Sequence, residues 1–127
     1  MEPVSEFKSK SGMRRIVAAI TYSLNGFRSA WQHEHAFRQE LMVFLIGSAV
    51  ALMLHISAFE KLMLIGVLLL VLIVELINSA IEAVVDRISL ERHPLSKNAK
   101  DFGSAAVFLT FLLAGAAWAV VLFNRFY

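Results

Sequence analysis

The chain has 127 residues, of which 58% are hydrophobic and only 17% charged, with a formal net charge of +2 and no cysteine. A soluble domain carries about 25% charged residues, and a chain this short cannot hide such an apolar excess in one globule, so the class expected is an all-α membrane protein. Without cysteine there is no disulfide framework, thiolate metal site or cysteine nucleophile, and basic residues flanking apolar runs mark membrane topology rather than nucleic-acid binding.

Residues 1–11 read as a disordered lead-in. Met1 to Glu6 is polar and acidic with no apolar core, so no cleavable signal peptide is expected. From about 13 to 33 a helical period runs through Ile16, Ile20, Leu24, Phe27 and Trp31, with Arg14, Arg15, Thr21, Asn25, Arg28 and Gln32 largely off that stripe. This predicts an amphipathic helix lying in the membrane interface, a depth that suits Tyr22 and Trp31.

The polar run His33 to Glu40 leads into an uncharged apolar segment, about 41–59, close to the length a spanning helix needs. A short connection holds Ser57, Glu60 and Lys61. The second apolar segment, about 62–86, carries polar residues out of its far end: Glu75, Asn78, Ser79, Glu82 and Asp86 fall on one helix face, in line with Leu68, Val71 and Leu72. A polar loop from Ser89 to Asp101 follows, in which Pro94 argues against helix continuation. A third span is expected at about 102–124.

Topology follows from the cations. Lys8, Lys10, Arg14, Arg15, Arg28 and Arg38 precede the first span, and Arg87, Arg92, Lys97 and Lys100 follow the second, whereas only Lys61 and Arg125 fall on the other side. The positive-inside rule places the N-terminus in the cytoplasm and the C-terminus outside. Small residues cluster in the first and third spans and allow close helix contact. Three spans are too few to shield the polar stripe from lipid, so a homo-oligomer is expected.

The stripe points to chemistry. Glu75 lies about five to seven residues inside the interface, roughly 8–10 Å deep, where a carboxylate is costly and by default functional. At that depth it can take the proton of a hydroxyl held beneath a lipid headgroup. A structural carboxylate bonded to a neighbouring helix and a proton relay are the competing readings. Glu82 lies two turns nearer water, and Glu34 precedes the first span. Such oxygen ligands suit Mg²⁺ bridging phosphates, against the plainer reading of solvated helix-end charge. A lysine in the Ser89–Asp101 loop can neutralise phosphate. No phosphate-binding Gly-x-x-x-x-Gly-Lys-Ser/Thr loop is present, Asp101-Phe102-Gly103 lacks the rest of the soluble-kinase motif set, and the four histidines lack metal spacing.

Three motifs, Glu75-Leu76-Ile77-Asn78-Ser79-Ala80-Ile81-Glu82-Ala83-Val84-Val85-Asp86-Arg87, Glu34-x-Ala36-Phe37-Arg38-Gln39-Glu40 and Ala99-Lys100-Asp101-x-Gly103-Ser104-Ala105-Ala106, resemble those of the bacterial integral-membrane diacylglycerol kinases. The resemblance covers about Arg15 to the C-terminus. It implies a homotrimer of three-span subunits with shared active sites, acting at the cytoplasmic interface of the inner membrane with ATP and Mg²⁺ and binding no nucleic acid. It implies Glu75 as general base, held by Asn78, and Glu34 and Glu82 as metal and ATP ligands. Arg15, Tyr22, Glu91, His93, Lys100 and Asp101 would meet the nucleotide, and Arg28, Trp31, Arg38, Gln39, Glu75 and Ser104 the lipid. A sister group phosphorylates undecaprenol, and its core motif more often has Thr where Ser79 stands here. A small transporter or proton channel, and a membrane scaffold, are the alternatives from other classes.

Overall fold

The structure, a computed structural model, describes residues 11–127. All but one residue of the expected lead-in therefore lies outside the described residues. Four helices follow in order: α1 (Gly12–His33), α2 (His35–Met53), α3 (Ala58–Ile88) and α4 (Pro94–Phe126). They divide into two units, residues 1–34 and 35–127.

The first unit is α1, within one residue of the amphipathic helix read from periodicity. Its apolar stripe, Ile16, Ile20, Leu24, Phe27 and Trp31, is exposed along its whole length, as an interfacial helix requires. Extended backbone at Glu34 ends the helix, and the Glu34 amide still donates to the Ala30 carbonyl at 2.9 Å. The polar run is thus divided, with His33 closing α1 and His35 opening α2.

In the second unit α3 packs against both α2 and α4. All three helices are long and apolar enough to cross a membrane. Near one end, Ala51, Leu64 and Val121 form a buried cluster flanked by Trp118, whose Nε1 donates to the Leu64 carbonyl at 3.2 Å. Two glycines set close approaches. A Cβ at Gly47 would strike the Leu68 side chain, and one at Gly103 would strike the Asn78 amide oxygen.

Helix boundaries differ from expectation for identifiable reasons. α2 ends at Met53 rather than near residue 59, because a new start signal intervenes. Ser57 accepts from the Glu60 amide at 3.1 Å while Glu60 accepts from the Ser57 amide at 3.2 Å, a capping box. Glu60 and Lys61 therefore belong to the first turn of α3, not to a connection. Lys61 Nζ donates back to the Leu52 carbonyl at 3.0 Å, satisfying an end of α2.

The expected polar loop is shortened likewise. Pro94 opens α4 rather than breaking it, since a first-turn proline gives up no helical hydrogen bond. His93 caps the helix, its Nδ1 accepting from the Leu95 amide at 3.1 Å. Ser96 to Asp101 are consequently helical, and the loop is reduced to Ser89–His93. At 1.5 Å per residue α3 and α4 are about 46 and 50 Å long, well beyond a hydrocarbon core of about 30 Å. Their charged ends, carrying Asp86 and Arg87 on α3 and Lys97, Lys100 and Asp101 on α4, project past the apolar runs.

Candidate active site

The site is built on the last half of α3, where the buried face continues from Val71 and Leu72 into Glu75 and Asn78. Glu75 is 6% exposed. Glu82 is half-buried and Asp86 exposed. The stripe read from spacing is therefore also a gradient of solvation, with Glu82 about 10 Å and Asp86 about 16 Å along the axis from Glu75.

Asn78 holds the middle of this line. Its Nδ2 donates to Glu82 Oε1 at 3.3 Å. Its Oδ1 is buried with no hydrogen-bond partner in the protomer. The reason lies on α4, where Gly103 lets the helix backbone come against that atom. Burying an amide oxygen unpaired is costly, and such a group marks a place where a ligand, water or ion supplies the missing donor.

At the water-facing end the two helices are tied by charge. Lys100 Nζ meets Asp86 Oδ1 at 2.7 Å, linking α4 to α3, and Lys97 Nζ meets Asp101 Oδ2 at 2.6 Å within α4. The hydrogen bond to each carboxylate raises the pKa of each ammonium above its ordinary value, so both remain cations. These residues line a cavity of about 690 Å³ together with Glu91, Arg92, His93 and Ser96, a volume in the range of small-molecule and cofactor sites. Of the five nucleotide residues implied by resemblance on this unit, Glu91, His93, Lys100 and Asp101 lie on its wall and Glu82 does not. Those four lie close together in sequence, Lys100 and Asp101 in the second turn of α4 and Glu91 and His93 in the α3–α4 turn. There the Ser89 hydroxyl accepts from the Glu91 amide at 3.0 Å.

On α2, Arg38 Nη2 approaches His35 Nδ1 at 3.2 Å, and the Gln39 side-chain amide approaches His35 Nε2 at 3.2 Å. Arginine only donates, so Nδ1 accepts and Nε2 carries the hydrogen, which the Gln39 side chain accepts through its carbonyl oxygen once its amide is turned over. Ser104 is exposed beside buried Gly103. Arg15, Tyr22, Arg28, Trp31 and Glu34 lie on the first unit.

Two groups escaped sequence reasoning. Glu40 was visible only as the end of a motif, yet its carboxyl lies within side-chain hydrogen-bonding reach of Glu75. That pairing depends on the α2–α3 register. Gly103 is one of the small residues of the third span, and its specific contact with Asn78 cannot be foreseen from composition.

Among the described residues, no group of three or more His, Asp or Glu side chains forms a metal cage. The set that is present fits a different arrangement. Magnesium arriving on a nucleotide is held by one or two carboxylates plus the phosphates, and Glu82, one oxygen of which accepts from Asn78, is a carboxylate of the kind such an ion takes.

Comparison with known proteins agrees with these motifs. The model of the prokaryotic diacylglycerol kinase family matches residues 21–122. The diacylglycerol kinase of Pseudomonas aeruginosa is 52% identical over 118 residues, covering 93% of this chain and 96% of that protein. Its counterpart in Escherichia coli K12 is 47% identical over 116 residues, 91% and 95% of the two chains. That of Haemophilus influenzae is 42% identical over 113 residues, 89% and 96%. With an acidic face that passes from apolar to water-exposed on one long helix, and with relatives that match it nearly end to end, this chain belongs to the prokaryotic diacylglycerol kinase family.

Proposed function

We propose that the chain transfers the γ-phosphoryl group of ATP to the free hydroxyl of diacylglycerol, yielding phosphatidic acid and ADP at the cytoplasmic face of a bacterial inner membrane. The observation that carries this reading is the α3 face itself. It joins a buried carboxylate, Glu75, to a lysine-bearing cavity at the charged end of the bundle. A lipid-borne acceptor and a water-soluble donor need such a line between them.

In this reading Glu75 takes the hydroxyl proton as the lipid oxygen forms its bond to the γ-phosphorus. The bond from the γ-phosphorus to the bridging oxygen breaks, and ADP leaves with that electron pair. Lys100 and Asp101, with Glu91 and His93, position the nucleotide, and Asn78 keeps Glu82 directed at the phosphates. Phosphoryl transfer has little covalent work for a protein to do beyond such positioning and charge neutralisation. Glu82 and Glu34 are the proposed magnesium ligands, and bound magnesium would neutralise the phosphate oxygens as charge develops. Arg15 and Tyr22 also serve ATP, while Arg28, Trp31, Arg38, Gln39 and Ser104 serve the lipid. The functional unit is a homotrimer with active sites shared between subunits. Each subunit has its N-terminus in the cytoplasm and its C-terminus outside, as the cation distribution supports.

The test is phosphorylation by purified protein in mixed micelles or bilayers with Mg²⁺-ATP, offering diacylglycerol and undecaprenol separately and in competition. Phosphatidic acid formation with a preference for diacylglycerol is expected. Preference for undecaprenol would reassign the substrate, and no product from either lipid would remove the kinase reading.

A further inference from the structure

One half-buried acid, Glu40, has no part in that mechanism. Glu40 stands in the second turn of α2, one turn after buried Phe37, and faces α3. Its Oε2 is buried and has no hydrogen-bond partner. Its carboxyl group reaches that of Glu75, which is itself buried beside Val71 and Leu72. Two acids on different helices therefore meet side by side, Glu75 buried and Glu40 half-buried.

We propose that Glu40 is a positioning residue for the reaction, a protonated partner that donates a hydrogen bond to the Glu75 carboxylate and so keeps Glu75 a competent, correctly aimed base. This rests on the kinase reading and adds a residue to it. Like charges at this range do not both persist in a low-dielectric site, so the pair holds a single negative charge and one shared proton. A general base must be ionised, yet a lone buried carboxylate tends to take up a proton and become useless as one. A hydrogen bond from a neutral acid favours the charged form of its neighbour. Glu40 also fixes which Glu75 oxygen remains open to the lipid hydroxyl. After transfer Glu75 has gained the hydroxyl proton, and Glu40 keeps its own.

The role makes an amide an adequate substitute and an alkyl group a poor one. Glutamine at position 40 can donate the same hydrogen bond through its NH₂ and cannot ionise, whereas leucine removes the donor and keeps the bulk. We expect Glu40→Leu to lower kcat by about 10²-fold, the lower range for loss of general-base action, with KM for ATP little changed. Glu40→Gln should recover turnover to within about tenfold of wild type. Equal losses in both variants, or wild-type turnover in Glu40→Leu, would overturn the proposal. A second readout does not depend on activity. The infrared difference between wild-type and Glu40→Gln protein should contain the carbonyl stretch of a protonated carboxylic acid, and only carboxylate bands there would also overturn it. Failure of the kinase reading is distinguishable, because then wild-type protein itself makes no phosphorylated lipid.

Discussion

Glu75 is where residue chemistry is most constrained. It is buried on a face that is otherwise Val71, Leu72 and Asn78, and insertion of such a carboxylate costs about 2.5–3.5 kcal/mol, a cost that a purely structural role would not justify when an apolar residue packs as well. Glu75→Gln keeps the shape and removes the base. Turnover should fall by at least about 10²-fold while ATP binding, followed by isothermal calorimetry in detergent, is retained. Glu82→Gln should do the opposite: its main effect is a higher KM for Mg²⁺-ATP, visible as activity partly recovered at raised magnesium. Position along the helix distinguishes the two, since they are chemically identical and about 10 Å apart. The shared face was legible in the sequence, because the spacing of Glu75, Asn78 and Glu82 follows from helical period alone. The Glu40 contact was not, since it requires knowing which turn of α2 meets which turn of α3.

Helix ends and close approaches decide what the elements deliver to the site. Three helices and their apolar character were readable from hydropathy, and α1 from its period. The ends were less so, because local hydrogen bonds rather than composition set them. The Ser57–Glu60 capping box moves the start of α3 to Ala58, and the His93 cap with Pro94 moves the start of α4 back to Pro94. The second of these matters for function. By making Ser96–Asp101 helical it places Lys100 opposite Asp86 and closes the cavity wall. Ser57→Ala should cost about 1 kcal/mol of stability, measured by denaturation in detergent, with catalytic constants unchanged in the protein that remains folded. Gly103→Ala should act conversely. Its new Cβ would displace the Asn78 side chain and so misdirect Glu82. A several-fold rise in KM for Mg²⁺-ATP is expected, with a smaller change in thermal midpoint. The Lys100–Asp86 pair is half-exposed at both partners, so water screens it and it adds little to stability. A large activity loss in Lys100→Met would therefore report on phosphate binding rather than on the fold.

At the scale of the whole molecule, the chain is an arrangement for chemistry between two phases. In the proposed reading three membrane-length helices serve the acceptor's side, and helix ends longer than the bilayer core by several turns serve the donor's side. Much of the surface of these helices is apolar and exposed in the single protomer, including Met42, Ile46, Leu69, Ile73, Phe108 and Leu112. Lipid covers such surface, and so does the proposed trimer. Sedimentation equilibrium in density-matched detergent should give three chains per particle, and a monomer retaining full activity would rule out shared active sites. The central claim is that one helix face carries the phosphoryl acceptor and donor at different depths, with Glu75 as base. It is tested most directly by measuring phosphatidic acid formation from diacylglycerol and Mg²⁺-ATP with wild-type and Glu75→Gln protein side by side. The account predicts robust product from the first, and from the second a loss of at least about 10²-fold with ATP affinity preserved. Near-normal turnover by Glu75→Gln would contradict it.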